Sequence, residues 1–213
     1  MAAAQKSQGG APLPAKLAGL LREAKWLALV AAAAYLLLIL ATFNKGDPGW
    51  SHSATAAATQ NAGGRAGAWL ADLLLYLFGL SAYWWVGLCG AVVAWGYTKI
   101  DPAKAEGAKS KGVRLVDRRP LWISLCGFAL LLVASASLEE LRLHTLRAEL
   151  PLGPGGMVGI AVGPFLESVA GFLGATLLLL TLAAVGLSLL TGVSWIAAAE
   201  LTGFLLESAY AFA

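Results

Sequence analysis

Residues 26–43 read WLALVAAAAYLLLILATF, from Trp26 to Phe43, eighteen positions without a charged side chain. Roughly 20 consecutive apolar residues carry a helix across the ~30 Å hydrocarbon layer of a bilayer. Three further blocks reach that length: about Gly67 to Tyr97, which carries Asp72 near its start; Leu121 to Leu138, stopped by Glu139-Glu140; and about Val169 to Leu190. None shows the period-2 alternation of a β-barrel strand, so the spans are helical. Composition agrees, with 59% hydrophobic residues, 13% charged residues and a mean hydropathy of +0.73, against about 25% charged in soluble domains. The expected fold is all-α: a polytopic membrane protein with four transmembrane helices and a short interfacial helix before the fourth.

The connecting segments refine this layout. Residues 1–25 read as a cytoplasmic tail and interfacial lead-in, residues 26–195 as the four-helix membrane domain with spans at about 26–43, 67–97, 121–138 and 169–190, and residues 196–213 as an exit helix or the start of a linker. The first fifteen residues are mostly Ala, Gly, Gln and Pro, a disordered composition rather than a cleavable signal. From Leu13 to Lys25, Leu13, Leu17, Leu20, Leu21 and Ala24 oppose Lys16, Arg22 and Lys25, which suits a helix at the membrane surface. Leu150-Pro151-Leu152-Gly153-Pro154-Gly155-Gly156 is a turn cluster, and the run 157–167, broken by Pro164, is too short to cross. It reads as a helix on the outer interface or a re-entrant piece.

Lysine and arginine set the orientation. Eleven of the fifteen lie before the first span or between the second and third; Lys45, Arg65, Arg142 and Arg147 occupy the other two connections. Both termini are therefore expected in the cytoplasm, with residues 44–66 and 139–168 outside. The basic segment 99–119 suits anionic lipid headgroups. Without interleaved aromatics, and with Asp101, Glu106 and Asp117 mixed in, it is not expected to bind nucleic acid directly.

Catalytic and cofactor signals are missing from the pattern. No GxSxG, HExxH or GxGxxG occurs, and Gly107-Ala108-Lys109-Ser110 lacks the glycine that a P-loop places before its lysine. No cofactor or metal is expected. Cys89 and Cys126 lie inside spans as small apolar residues, and His52 and His144 stand alone in loops. Asp72 is the one acid within a block, five residues beyond Gly67 and so near the outer interface rather than at the midplane. An intramembrane acid is a candidate proton or ion site; the alternative is that it stabilises a helix N-terminus or pairs with Arg65. Gly63-x-x-x-Gly67, Gly87-x-x-x-Ala91 and Gly155-x-x-x-Gly159-x-x-x-Gly163 place small residues on one helix face, which permits close helix approach.

The most individual stretch joins the first two spans. It contains Phe43-Asn44, Asp47-Pro48-x-Trp50-Ser51, and then Asn61-x-Gly63-Gly64-x-x-Gly67-Ala68-Trp69-Leu70-Ala71-Asp72, followed by Phe78-Gly79 and Ala82-Tyr83. Together with Gly186-Leu187-x-Leu189-x-Thr191-Gly192-x-Ser194-Trp195, it resembles the N-terminal four-helix membrane domain of the FtsK/SpoIIIE family of DNA translocases, over about residues 26–207. The resemblance implies a membrane anchor and scaffold in the bacterial inner membrane at the division septum. It would contact the lipid bilayer and other division proteins, and would form homo-oligomers (hexamers) through a cytoplasmic motor that pumps DNA in chromosome partition. The sequence as given stops at Ala213, ahead of the family's linker and ATPase, so motor activity is not carried over and the segment itself is not expected to be an enzyme. The competing reading is a small polytopic transporter or channel, which would place facing polar residues at mid-span. Here those positions are Ala, Leu, Val and Gly, with isolated Tyr35, Cys89 and Ser124.

In the matched loop, Asp47-Pro48-Gly49-Trp50 is turn chemistry, with proline fixing φ and aspartate able to bond its own backbone. Trp50 and Trp69 suit the headgroup layer. Gly63, Gly64 and Gly67 would let the loop fold tightly onto the second block. A rigid outer cap is the expected product.

Overall fold

A computed structural model describes residues 15–53, 58–100, 121–143, 150–192, 194–195, 199–200 and 202–203. The tail, the side chains of Lys16, Leu17 and Arg22 in the lead-in, most of the basic segment 99–119, His144, Arg147 and most of the exit segment fall outside what is described. All the described elements are helical: α1 (Ala15–Ala41), α2 (Gly64–Phe78), a 3-10 helix (Gly79–Tyr83), α3 (Trp84–Ile100), α4 (Leu121–Arg142) and α5 (Gly156–Thr191). Four stretches are long and apolar enough to cross a membrane: Glu23–Ala41, Gly64–Val93, Leu121–Arg142 and Gly156–Thr191.

The second and fourth stretches do more than cross. The start of α2 rests on the far end of α1: a Cβ added to Gly67 would lie 2.8 Å from Ile39 Cγ2. The other end of α2 leads to Gly79, and Leu80 N–H donates to the Pro154 carbonyl, 2.8 Å away, in the connection between α4 and α5. Fifteen residues of helix cover about 22 Å, and both ends abut connections on one face of the bundle, here the loop face. So α2 lies along that face, and the crossing itself falls to residues 79–100. The excess length of the block from Gly67 to Tyr97 is this in-plane helix.

The fourth stretch is likewise two helices. At 36 residues it would measure about 54 Å, well beyond the bilayer core, and it turns at Gly171, whose φ of 68° and ψ of 167° are non-helical. Residues 172–191 run antiparallel to α4. Arg142 sits 4.6 Å over the Phe172 ring, Ala175 and Leu179 pack with Ala134 and Leu141, and Gly186 faces Gly127 and Leu131. Residues 156–170 fold back across the end of α4, with Gly155, Gly159 and Gly163 against Ala136, Ser137 and Glu140. This is the short helix before the last span.

Close approach rests on glycine because hydrocarbon gives helices no hydrophobic drive toward each other, so association comes from backbone-level packing. Two of the three small-residue runs serve it: Gly63 and Gly67 against α1, and Gly155, Gly159 and Gly163 against α4. At the third run the missing Cβ of Gly87 faces only the ring of Trp84, on its own helix. Gly159→Leu would push a side chain into the Ala136 carbonyl carbon, 3.0 Å from an added Cβ. It is expected to cost about 2 kcal/mol, read as a lower thermal midpoint in detergent; an unchanged midpoint would mean that residues 156–170 are not seated on α4.

The block that ends at Leu138 continues as helix to Arg142, and Glu139-Glu140 do not stop it.

Candidate functional site

Where α1 ends, its last carbonyls have no helical partner, and the loop supplies one. Asn61 is buried; its Nδ2 donates to the Ile39 and Thr42 carbonyls at 2.8 and 3.2 Å, and its Oδ1 accepts Gly63 N–H at 2.8 Å. Thr42 Oγ1 donates back to Leu38 and accepts Ala62 N–H. One asparagine thus joins the exit of α1 to the entrance of α2.

Asp47 makes the second tie. Its side chain is buried, and its two oxygens accept the N–H groups of Gln60 and Asn61, both at 2.7 Å. The local turn expected of Asp47 is made by Asn44 instead, whose Oδ1 accepts Gly46 N–H at 2.7 Å. Asp47 reaches across the whole loop.

Asp72 makes the third. It is fully buried and accepts Ser51 N–H at 2.6 Å and Ser51 Oγ at 3.0 Å. His52 Nδ1 lies 3.6 Å from the same carboxylate. These are its partners, and Arg65 is exposed. Nor is Asp72 at a helix N-terminus, since α2 begins at Gly64. His52, read as a solitary loop residue, belongs to this cluster. Charge-assisted bonds of this kind are about twice as strong as neutral ones, which is how two buried carboxylates are tolerated. The serine, histidine and aspartate are not a hydrolytic triad: Ser51 Oγ and Asp72 both face the same imidazole nitrogen, 2.9 and 3.6 Å away, whereas a triad needs them on opposite nitrogens. The cluster clamps the loop.

Around these ties sit the remaining matched residues. Gly49, after Pro48, closes its turn through Gly49 N–H to the His52 carbonyl at 3.2 Å. Trp50 is half exposed and meets Tyr76 edge-on with centroids 5.0 Å apart. Trp69 is also exposed, one α2 turn away from Asp72. Gly64 opens α2 at a φ of +65° with no neighbour near its missing Cβ.

A second polar centre lies where the in-plane α2 turns into the crossing helix. The first N–H groups of that new helix need acceptors. Leu80 takes the Pro154 carbonyl, and Ser81 N–H and Oγ donate to Glu139 at 2.9 and 2.8 Å, with Ser135 Oγ 2.6 Å from Ser81 Oγ. Glu139 therefore caps the start of another helix, where a negative charge also suits the helix dipole, and α4 runs through it unbroken. Ser81 and Ser135 carry no mark in the sequence, and Glu139 reads there only as the end of a span. The available signal was a glycine, Gly79, in the middle of an overlong apolar block, together with an acidic pair at the end of another.

Gly192 and Trp195 lie at the opposite face. Gly192 ends α5 in the left-handed conformation, φ 75°, donating to the Ser188 carbonyl, and the Trp195 indole donates to the Ala184 carbonyl at 2.9 Å. The matched residues thus form one cap on the loop face and one helix stop on the other.

The chain matches, over residues 18–203, the family described as the 4TM region of DNA translocase FtsK/SpoIIIE. It is 42% identical over 200 residues to DNA translocase FtsK 2 of Ralstonia nicotianae, covering 94% of this chain and 25% of that one. It is 34% identical over 194 residues to DNA translocase FtsK 1 of Neisseria meningitidis serogroup B, covering 90% and 23%. DNA translocase FtsK of Pseudomonas syringae pv. syringae is 34% identical over 184 residues, covering 86% and 22%. The chain spans about a quarter of the length of these curated relatives. No solved structure matches.

Proposed function

Because the chain belongs to the family of 4TM regions of FtsK/SpoIIIE DNA translocases, we propose that it is the anchor and scaffold of a septal DNA translocase, acting in cell division and chromosome segregation. On this reading its loop face is periplasmic and its termini are cytoplasmic, as the lysine and arginine distribution favours. Its partners are division-site membrane proteins and further copies of itself, and the motor activity of the whole protein belongs to parts beyond the matched region.

The observation that carries the scaffold reading is the locked cap. Asn61 ties the loop to α1, Asp72 ties it to α2, and Asp47 joins its two described parts, 42–53 and 58–63, through bonds of 2.6–3.2 Å, and the surface so held presents Trp50 and Trp69 outward. Preformed surfaces bind with less ordering cost, and exposed aromatics are the usual anchors of interfaces. A transporter or channel is disfavoured because the polar centres sit at the loop-face ends of the helices, on Ser81 and Glu139 and in the loop itself, rather than at mid-span.

The test combines Trp50→Ala with Asp47→Ala in a fluorescently tagged full-length protein. Septal localisation and recovery of division proteins by pull-down are expected to fall sharply at equal membrane abundance. Trp50→Ala alone, which leaves every loop bond in place, separates loss of the surface from loss of the fold. Unchanged localisation and pull-down in the double variant would defeat the proposal.

A further inference from the structure

Between the exit of α1, the middle of α2 and the connection before α5 lies an open cavity of about 360 Å³, lined by Lys45, Ser51, His52, Tyr76, Pro151 and Leu152. Its size falls within the ~300–1,000 Å³ range of small-ligand sites. Two of its polar groups are not used by the cap. Lys45 is exposed and makes no salt bridge among the described residues, where the one ion pair is His52 with Asp72. The Tyr76 hydroxyl takes no part in the bonds that hold the loop, although its ring braces Trp50.

The charge balance of the wall favours an anion. No carboxylate is among the lining residues; Asp72, which meets Ser51 and His52, is fully buried, and its oxygens face Ser51 N–H, Ser51 Oγ and the His52 ring. What the cavity shows to a ligand is an ammonium and a phenol, with Pro151 and Leu152 as an apolar lip; the His52 nitrogens are taken up by the cap, Nδ1 toward Ser51 Oγ and Asp72 and Nε2 buried. A group carrying one negative charge, several acceptor oxygens and an apolar extension fits this wall.

The surroundings say where such a group would come from. The half-exposed Trp50 and the exposed Leu152 stand at the same rim, and indole rings collect at headgroup depth. The helix 156–170 shows Met157, Ile160 and Phe165 to its surroundings, and after Gly171 this apolar surface continues into Leu173 and Leu177 of the crossing helix. The leaflet therefore reaches the cap.

We propose that this cavity binds the phosphodiester of an anionic phospholipid from the adjoining leaflet, with Lys45 as its charge partner and the Tyr76 hydroxyl as a donor. The site uses none of the basic segment 99–119. It does not depend on the septal role.

The test uses the full chain purified in neutral detergent, with native mass spectrometry of retained lipid on adding phosphatidylglycerol or phosphatidylcholine. Preferential retention of phosphatidylglycerol is expected, reduced about five-fold in Lys45→Ala, the loss of one lysine at an anionic surface, and reduced less in Tyr76→Phe. Neither variant should shift the thermal midpoint without lipid, since neither group holds the fold. Equal retention of the two lipids, or full phosphatidylglycerol retention by Lys45→Ala, would overturn the site. Displacement of the lipid by millimolar inorganic phosphate would overturn the lipid assignment and leave a free-phosphate pocket.

Discussion

Gly79→Ala is expected to destabilise the membrane domain by about 4 kcal/mol, the sum of a strained backbone and an overpacked contact. Gly79 has φ 58° and ψ −137°, a region that residues with a Cβ rarely occupy. Its missing Cβ also points into the Pro154 carbonyl, the acceptor for Leu80 N–H. Gly156, on the other side of the contact, has φ +59° and would set a Cβ 2.8 Å from the Leu77 carbonyl oxygen. The two glycines lie back to back, and neither can accept a methyl group without separating α2 from the α4–α5 connection. Against a total stability of about 5–15 kcal/mol, the loss should appear as low folded yield and a much lower thermal midpoint in detergent. A midpoint within a degree or two of the parent would show that Pro154 does not clasp the junction.

Asp72→Ala should cost somewhat less, about 3 kcal/mol, and more locally. The change removes the carboxylate that accepts Ser51 N–H, while Ser51 Oγ keeps only His52 Nδ1, and a hydrogen bond to a charged group is worth about 1.5–3 kcal/mol. Residues 47–52 would then lose their hold on α2, while Asp47 and Asn61 keep the base of the loop in place. Hydrogen exchange should accelerate at Gly49 and Ser51 with little change in α4. Asp72→Asn, which keeps one acceptor oxygen, should fall between the two. If Asp72→Ala left exchange at Ser51 unaltered, the clamp would be wrong and the older alternative of a proton or ion site would return.

Much of this was legible in the sequence, for a physical reason. A charge-free run such as 26–43 has few ways to fold other than as a membrane helix. Helix direction was harder. The block from Gly67 carries a single acid, Asp72, and hydropathy does not distinguish a helix across the bilayer from one lying along its surface; the run from Met157 reads as interfacial or re-entrant only through its turn cluster and Pro164. What decides it is the phase change at Gly79 and at Gly171, positions where glycine permits a backbone that hydropathy does not register. The structure brings Asp47, Asn61 and Asp72 into one bonded loop, but with partners that their neighbours in sequence do not indicate. Asp47 and Asp72 were expected to act on neighbours, or on Arg65, and instead bind backbone 13 and 21 residues away. Pairings across that distance are set by tertiary packing, which local turn rules do not encode. Glu139 was hidden for the same reason: its partner, Ser81, is 58 residues earlier.

The junction at Ser81 also bears on biogenesis. When the first two spans have entered the bilayer, Leu80 and Ser81 carry backbone donors whose acceptors, Pro154 and Glu139, have yet to be synthesised. Unpaired N–H groups in or near hydrocarbon are costly, so an N-terminal half-molecule holds an open helix start that only the later hairpin can close. Completion of the third span and its following turn is the event that seals it. The cap is therefore a record of full insertion: a chain stalled or truncated before Pro154 stays marked, at one end of its second crossing, as unfinished.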